Sequence, residues 1–541
     1  MEKEFNLIDE PWIVVRTKDC VVREVSLKDA LLNSHKYTEL AGETKTQDLA
    51  LLRLMLAVMY TVFSRYDADG NEIELADDLD FPVDNWETIW QNKQLPAAPI
   101  EKYFDKWYDR FWLFDDEYPF YQSNAVKGKT DPVSTAKLIG SLYESGNKPR
   151  LFSDRMKNGR YLAYSEAARW LVHLNGFDDI AAKKPTPKKS WNSKLGLIAV
   201  RGKNLFETLM LNFVADVDVE NGVYTSRPSW ENSAKPFEFN RLTAIPTNQA
   251  ELLTVQSRQL YLYRENEMIT GYYIAGGDYF DEEDVIAEQM TIWRGYKENK
   301  TSPMKFRPAK HDAAKSVWQE FGTIAAFPEL KKGDNSETGE RTPGVIKWIK
   351  RLCEYGSLER GYFIDLMTAA VIYDYGQATS LPVIDYISDS VTFHSQLLLD
   401  SGKIWRDVIN EEIAKCEKAA KKVYNLSVNL QEVSGASGDR ITGGDAKVQF
   451  YDRIDRTFRL WLEELDAESD KYKEYADKLE DKIFIIARDF GYELVGQTSA
   501  NAIFGRYKKP ENNEKCTSSA QALNLYISSI KKIFNKAGDK K

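Results

Sequence analysis

At 541 residues the chain is too long for one ordinary core, so two or three domains are expected. Hydrophobic residues at 43% and aromatic residues at 12% supply well-packed interiors, and the 13 Trp point to many large buried or interfacial rings. A net charge of −10 excludes wholesale attraction to phosphate while leaving room for a local basic groove, and four scattered cysteines exclude a disulfide framework or a cysteine zinc site, as expected of a reduced cytoplasmic protein.

The N-terminus, Met1-Glu2-Lys3-Glu4, is charged and leads into no apolar signal region. Val21–Val25 reads as a strand. Thr46 is a candidate N-cap for a helix over about 47–63. That apolar run is broken by Arg53 and too short to span a bilayer, which predicts a buried helix and no membrane. Asp67-Ala68-Asp69-Gly70-Asn71-Glu72 suggests half a calcium loop, but its glycine comes early and the bidentate Glu is missing, so an Asp-Gly turn is the better reading. Ser165–Leu174 and Leu205–Phe213 carry apolar residues three and four apart and read as helices. Between them lies Lys183-Lys184-Pro185-Thr186-Pro187-Lys188-Lys189, where two prolines deny helix and four lysines repel one another unless an anion intervenes. Leu252–Tyr263 reads as strand. Lys297, Lys300, Lys305, Arg307, Lys310 and Lys315 form a second basic segment after the acidic run Asp281–Asp284. Gly333–Gly344 reads as loop. The apolar run Phe363–Tyr373 and the extended run Leu381–Ile387 flank Tyr375-Gly376-Gln377-Ala378-Thr379-Ser380, a hairpin with Gln377 at its tip between small Gly376 and Ala378.

From about Ser388 the pattern becomes regular. Trp405, Ile409, Cys416 and Val423 mark one helical face. Phe450, Ile454, Phe458 and Trp461 mark a second, Tyr472, Leu479, Ile483 and Ile486 a third, and Leu523, Tyr526, Ile530 and Phe534 a fourth, with Thr517-Ser518-Ser519 as capping candidates. The fold class is therefore α+β: a large irregular N-terminal α+β domain, 1–388, followed by a C-terminal four-helix bundle, 389–541. The bundle region holds 25 Lys and Arg against 25 Asp and Glu, so the acid excess lies in the first part. Arg453, Arg456 and Arg459 share a helical face with Asp452 and Asp455 interleaved, which suits either a phosphate-contacting stripe or a salt-bridged surface.

Enzymatic chemistry has little to stand on. There is no phosphate loop ending in Lys-Ser/Thr and no His-Glu-x-x-His, and the four histidines His35, His173, His311 and His394 show no ligand spacing. No catalytic residue, metal or cofactor is expected.

Phe5-Asn6-Leu7-Ile8-Asp9-Glu10-Pro11-Trp12-Ile13, Phe111-Trp112-Leu113-Phe114, Tyr118-Pro119-Phe120-Tyr121-Gln122, Gly202-Lys203-Asn204-Leu205-Phe206-Glu207-Thr208-Leu209 and Gln256-Ser257-Arg258 stand in this order along the chain. Together with the Gln377 hairpin and the helical C-terminus, the set resembles the CasA family, the large subunit of the type I-E CRISPR surveillance complex Cascade. The resemblance implies a non-enzymatic subunit with guide RNA, other Cascade subunits, double-stranded target DNA and a helicase-nuclease as partners. It implies recognition of the protospacer-adjacent motif (PAM) through the minor groove and the start of duplex opening. Gln377, with Gly376 and Ala378, matches the family's wedge. The lysine segment, with Lys183, Lys184, Lys188 and Lys189, stands in place of a glycine-rich loop and would contact phosphate more than base edges. Gly276, in Thr270–Asp278, stands where some members carry a minor-groove lysine, implying a different PAM preference. Asn147, Arg150 and Phe152 match the loop that meets the guide's 5′ handle. A structural scaffold of a ribonucleoprotein, with no DNA reading, is the alternative.

Overall fold

A helix apolar on every side must be buried on every side. In the computed structural model of the chain this holds for Lys45–Phe63, in which every residue from Thr46 onward is buried. It is long and apolar enough to cross a membrane, yet it lies wholly inside the fold. The structure describes residues 3–73, 80–139, 161–178, 188–220, 222–223, 225–299, 301–325, 340–373, 383–436, 441–507 and 516–536. They group into two compact units, one of 1–313, 326–352 and 364–390, the other of 314–325, 353–363 and 391–541.

The first unit gathers short sheets around that helix. Its cap is Thr44, whose hydroxyl accepts from the Gln47 N–H at 3.2 Å, not the expected Thr46. Thr46 instead bonds His173 Nε2 at 3.1 Å. Inside the helix Arg53 makes two hydrogen bonds, 2.9 and 2.8 Å, to Glu288. Trp191 Nε1 and the Met290 N–H also donate to that carboxylate, at 2.8 and 3.0 Å. Burial alone would raise the Glu288 pKa, but the Arg53 charge and these donors outweigh it and hold the carboxyl below its ordinary value. The pair thus joins three distant chain segments in the interior.

Two sheets matter for the site. Arg258–Glu265 and Met268–Gly276 pair antiparallel, with Gly276 opposite Arg258 and an irregularity between Ile269 and Gly271. The strands Val383–His394, Phe363–Tyr373 and Leu197–Arg201 lie side by side in that order. Arg201 pairs with Asp365 at 2.8 Å across the last two. The expected strand over 252–263 begins only at Arg258. Its first residues belong to the helix Gln249–Leu253, capped by Asn248, which accepts from the Glu251 N–H. The local capping chemistry overrides the β-rich composition there. Tyr164–Phe177 and Leu205–Asn212 are helices as read. Asp67 accepts from the N–H groups of Asp69 and Asn71 and Gly70 has a φ of +86°, the expected Asp-Gly turn. The Gly333–Gly344 reading falls mostly outside the described residues.

The second unit holds the four expected helices, Lys403–Val433, Gly444–Glu463, Tyr472–Gly496 and Ser519–Ile533. The first packs against each of the others. Ser518 and Gln521 close a capping box at the start of the last. Gly491 admits the Tyr526 ring, since a Cβ there would stand 2.5 Å from Tyr526 Cε1. Trp318 stacks on Phe458 at 4.0 Å and donates to Asp455 at 2.7 Å. Lys415 bridges two buried carboxylates, Glu412 at 2.7 Å and Glu480 at 2.8 Å.

Glu288→Ala strands the Arg53 guanidinium and should lower stability by about 3–5 kcal/mol in denaturant unfolding; a loss below about 1 kcal/mol would contradict the pairing. Burial pushes His173 down from 6.5 to about 3. Between those values the unfolded chain binds a proton that the folded chain refuses, so stability falls as pH drops through that window. His173→Gln should flatten the decline by up to about 1.4 kcal/mol per pH unit, read as the difference between variant and parent unfolding curves.

Candidate nucleic-acid interface

The lysine segment leaves and rejoins described structure at one buried side chain. Arg258, 1% exposed, donates Nε to Asp178 Oδ2 at 2.8 Å and Nη1 to the Lys188 carbonyl at 2.9 Å. Its other Nη bonds the Asp178 carbonyl. Asp178 ends the helix Tyr164–Phe177 and Lys188 resumes the described chain, so one guanidinium ties both stems of residues 179–187 to the sheet. Ser190 Oγ donates to the Asp178 carbonyl at 2.6 Å and Ser257 Oγ accepts from the Trp191 N–H at 3.2 Å, closing the base. The planar, five-donor fork of arginine suits this multiple bridging as lysine would not.

The same staple brings two expected site residues together. The Lys188 N–H donates to Asn240 Oδ1 at 3.1 Å, and the Asn240 N–H donates to the Gly276 carbonyl at 3.2 Å. Lys188 is exposed, with its ammonium 5.4 Å from the centroid of the Tyr279 ring; Lys189 beside it is exposed too. Gly276 itself is buried and its carbonyl also accepts from Gln259 Nε2 at 2.8 Å. The next residue, Gly277, is where space is tightest: a Cβ would lie 2.3 Å from the Gln256 carbonyl. Asn240, in a left-handed conformation at φ +53°, is the connecting residue that sequence reading missed. Asparagine's tolerance of positive φ was its only signal.

Lys183, Lys184, Gly376, Gln377, Ala378, Asn147, Arg150 and Phe152 lie outside the described residues. The strands that carry the glutamine segment are described: Phe363–Tyr373 and Val383–His394 are neighbours, joined by residues 374–382. The second strand begins two residues after the expected Leu381 and runs on past 388.

The arginine face of the bundle divides. Arg453 pairs with Glu493 at 2.9 Å and lies over the Phe490 ring at 4.3 Å. Arg459 pairs with Asp455 at 2.6 Å. Arg456 is exposed and has no ion pair among the described residues. Two of the three charges are thus already answered within the bundle. In the second basic segment Lys305 and Arg307 are answered likewise: with Tyr296 they bond Glu283 and hold its carboxyl down at about 2; Lys300 lies outside the described residues.

Several recognisable motifs prove to be fastenings. Asn204 caps its helix by accepting from the Glu207 N–H, and Glu207 accepts from the Lys203 N–H, both at 2.9 Å. Trp12 donates to the Leu7 carbonyl at 2.9 Å, and Asn6 Oδ1 accepts from the Ile8 N–H at 3.0 Å. No group of three or more His, Cys, Asp or Glu placed to hold a metal occurs among the described residues. His173, His311 and His394 each have a hydrogen-bond partner.

The sequence profile of CRISPR-associated protein Cse1 matches residues 6–489. A CRISPR-associated protein CasA/Cse1 of Thermus thermophilus is 32% identical over 238 residues; the match spans 42% of this chain and 42% of that protein. The crystal structure of Thermobifida fusca Cse1 superposes with a TM-score of 0.81 at 26% identity, covering 99% of both chains. A chain of a CRISPR RNA-guided surveillance complex superposes with a TM-score of 0.68 at 14% identity, over 98% of this chain and all of that one, a likeness of fold.

Arg258→Ala should free both stems of the lysine segment and leave Asp178 buried without its cation. The expected outcome is a loss of about 3–5 kcal/mol together with faster trypsin cleavage after Lys188 and Lys189 under native conditions. Cleavage there at the parent's rate would show that the stems are held by something else.

Proposed function

The chain belongs to the CRISPR-associated protein Cse1 family, also called CasA, and on that footing we propose that it is the large subunit of a type I-E RNA-guided surveillance complex. In this reading it recognises the PAM of double-stranded DNA through the minor groove, starts duplex opening and helps to recruit the helicase-nuclease. Guide RNA and the other Cascade subunits are its standing partners, with Asn147, Arg150 and Phe152 toward the guide's 5′ handle. The observation that carries the reading is the junction of Lys188, Asn240 and Gly276 on the Arg258 staple. It brings Lys188 to the end of the strand that carries Gly276, the position matched in the sequence to the family's minor-groove lysine.

The minor groove offers a degenerate A·T-versus-G·C pattern, so a reader there discriminates weakly and tolerates several motifs. Wedging a side chain into the stack costs a few kcal/mol per step, which binding to the adjacent groove must offset. Guide pairing then supplies sequence specificity. Gln377, between Gly376 and Ala378 in the segment that joins Phe363–Tyr373 to Val383–His394, takes the wedge role; small neighbours let the backbone approach the duplex. Lys183, Lys184, Lys188 and Lys189 supply phosphate contacts. In the bundle, Arg456 is the residue most available to DNA or a neighbouring subunit, with Arg453 and Arg459 shaping that face. The internal pairing of those two arginines also favours a second reading, a scaffold that bridges subunits without touching DNA.

Gln377→Ala in the assembled complex should leave assembly intact and weaken invasion of linear duplex, with negatively supercoiled target partly restoring it. Equal invasion of linear duplex by variant and parent removes the wedge assignment. Replacing Lys183, Lys184, Lys188 and Lys189 with Ala should weaken binding on all PAM sequences alike and flatten the log-affinity against log-salt slope by roughly 0.9 per lost contact. An unchanged slope makes the segment a solvated loop.

A further inference from the structure

A charge imbalance is buried between two helices of the bundle. Glu412, on Lys403–Val433, and Glu480, on Tyr472–Gly496, have side chains only 2% and 3% exposed. Ile409, Ile413, Leu479 and Ile483, buried on the same two helices, flank them in the chain. One ammonium serves both carboxylates: Lys415 Nζ donates to Glu412 Oε1 at 2.7 Å and to Glu480 Oε1 at 2.8 Å. It also pairs with the exposed Glu411 at 3.0 Å. Glu412 Oε2 and Glu480 Oε2 are buried with no hydrogen-bond partner among the described residues.

Two ionised carboxylates on one ammonium leave a net negative charge in the interior and two acceptors unsatisfied. A buried charge without a partner is removed by titration or by a counter-ion. Lys415 already holds the place a cation would take, which leaves a proton. Two carboxylates sharing one site bind a proton more tightly than either would alone. Protonation of one cancels the excess charge and turns an unsatisfied acceptor into a donor. The Glu412 titration has that direction: burial above all, with Glu480 and Glu411 adding to it, raises the carboxyl to about 7 against the pull of Lys415. Burial would lower the Lys415 pKa, but its carboxylate bonds outweigh it and keep the ammonium charged. Around the cluster, Asp477 and Asp481 are exposed beside Glu480, and Lys536 from the end of the last helix reaches Asp481 at 2.6 Å. The exposed Glu417 faces Lys315 at 4.0 Å, and Gly444–Glu463 contributes Tyr451, near Glu417 and the Cys416 thiol.

We propose that Glu412, Lys415 and Glu480 form a proton-operated latch between the helices Lys403–Val433 and Tyr472–Gly496. With one proton on the carboxylate pair the buried cluster is neutral and the helices are locked. Without it the cluster carries one negative charge, which draws water between the helices and loosens their contact. The folded chain thus holds a proton that the opened chain, with an ordinary glutamate at 4.5, has given up. The stability the latch contributes is complete below 4.5 and is lost as pH rises to about 7, above which both states are ionised. The device lies within the bundle, uses none of Arg453, Arg456 and Arg459, and is independent of the function proposed above.

Hydrogen exchange of the full-length chain reads the opening, through mass spectrometry of peptides from 403–433 and 472–496 corrected for intrinsic rates. Opening should increase with pH by up to about tenfold per unit between about 5 and about 7, then level off. Glu412→Gln mimics the protonated carboxyl. It should flatten the profile and leave these peptides at least about tenfold better protected than the parent at about pH 8. Glu480→Gln leaves Glu412 paired with Lys415 alone and should flatten the profile too, which keeps the test open should the first variant disturb folding. Lys415→Met should move the rise to higher pH, whereas loss of a merely structural lysine would lower protection equally at every pH. The infrared spectrum of the parent at about pH 6 should carry the carbonyl band of a buried carboxylic acid that Glu412→Gln removes. The same pH profile in the parent and both glutamine variants, or no difference in that band, overturns the latch and leaves the cluster a fixed ionic contact.

Discussion

The buried guanidinium of Arg258 is the constraint on which the proposed interface depends. Removing a charge from water costs several kcal/mol, recovered only if its partners are fixed and its donors used. Arg258 meets both conditions by bonding Asp178 and the Lys188 carbonyl. The geometry that satisfies the charge therefore also fixes where the lysine segment begins and ends. Gln256-Ser257-Arg258 is in this sense a motif of placement: Ser257 and Arg258 hold the stems.

Charge organises the rest of the surface. The chain is acidic overall, and many of its cations are paired locally, as at Glu283, Asp278, Asp455 and Glu493. A surface built this way, acidic overall with many of its cations already paired, offers phosphate a limited positive field. In the proposed role, such economy keeps affinity for arbitrary duplex low, because each phosphate contact adds a sequence-independent term. The guide can then dominate the choice of target.

How much of this was legible in the sequence varies with the physics. The four bundle helices were, because each carries an apolar stripe at helical spacing, as Phe450, Ile454 and Phe458 do. The buried helix after Thr44 was legible too, though its cap was misplaced by two residues because two threonines offer the same hydroxyl. The strand over 252–263 was half misread, since Asn248 and Glu251 outweigh the β-branched composition through a local cap. Among the site residues, Lys188 and Gly276 were identified separately, but nothing in the sequence links positions 88 residues apart. The Asn240 bridge and the Asp178 staple are tertiary facts, invisible to periodicity. The motifs that made the family legible, such as Gly202–Leu209, turned out to secure helix starts and loops.

In the proposed role this subunit, within its complex, makes duplex capture depend on the PAM. That role is tested most directly by assembling the complex with and without the chain. Association with linear duplex carrying permissive or mutated PAM sequences is then measured across a salt series. Omission should abolish the difference between PAM sequences and lower the salt slope, while capture of pre-opened target by guide pairing persists. Unchanged PAM discrimination and an unchanged slope without the chain would contradict it and leave a scaffold.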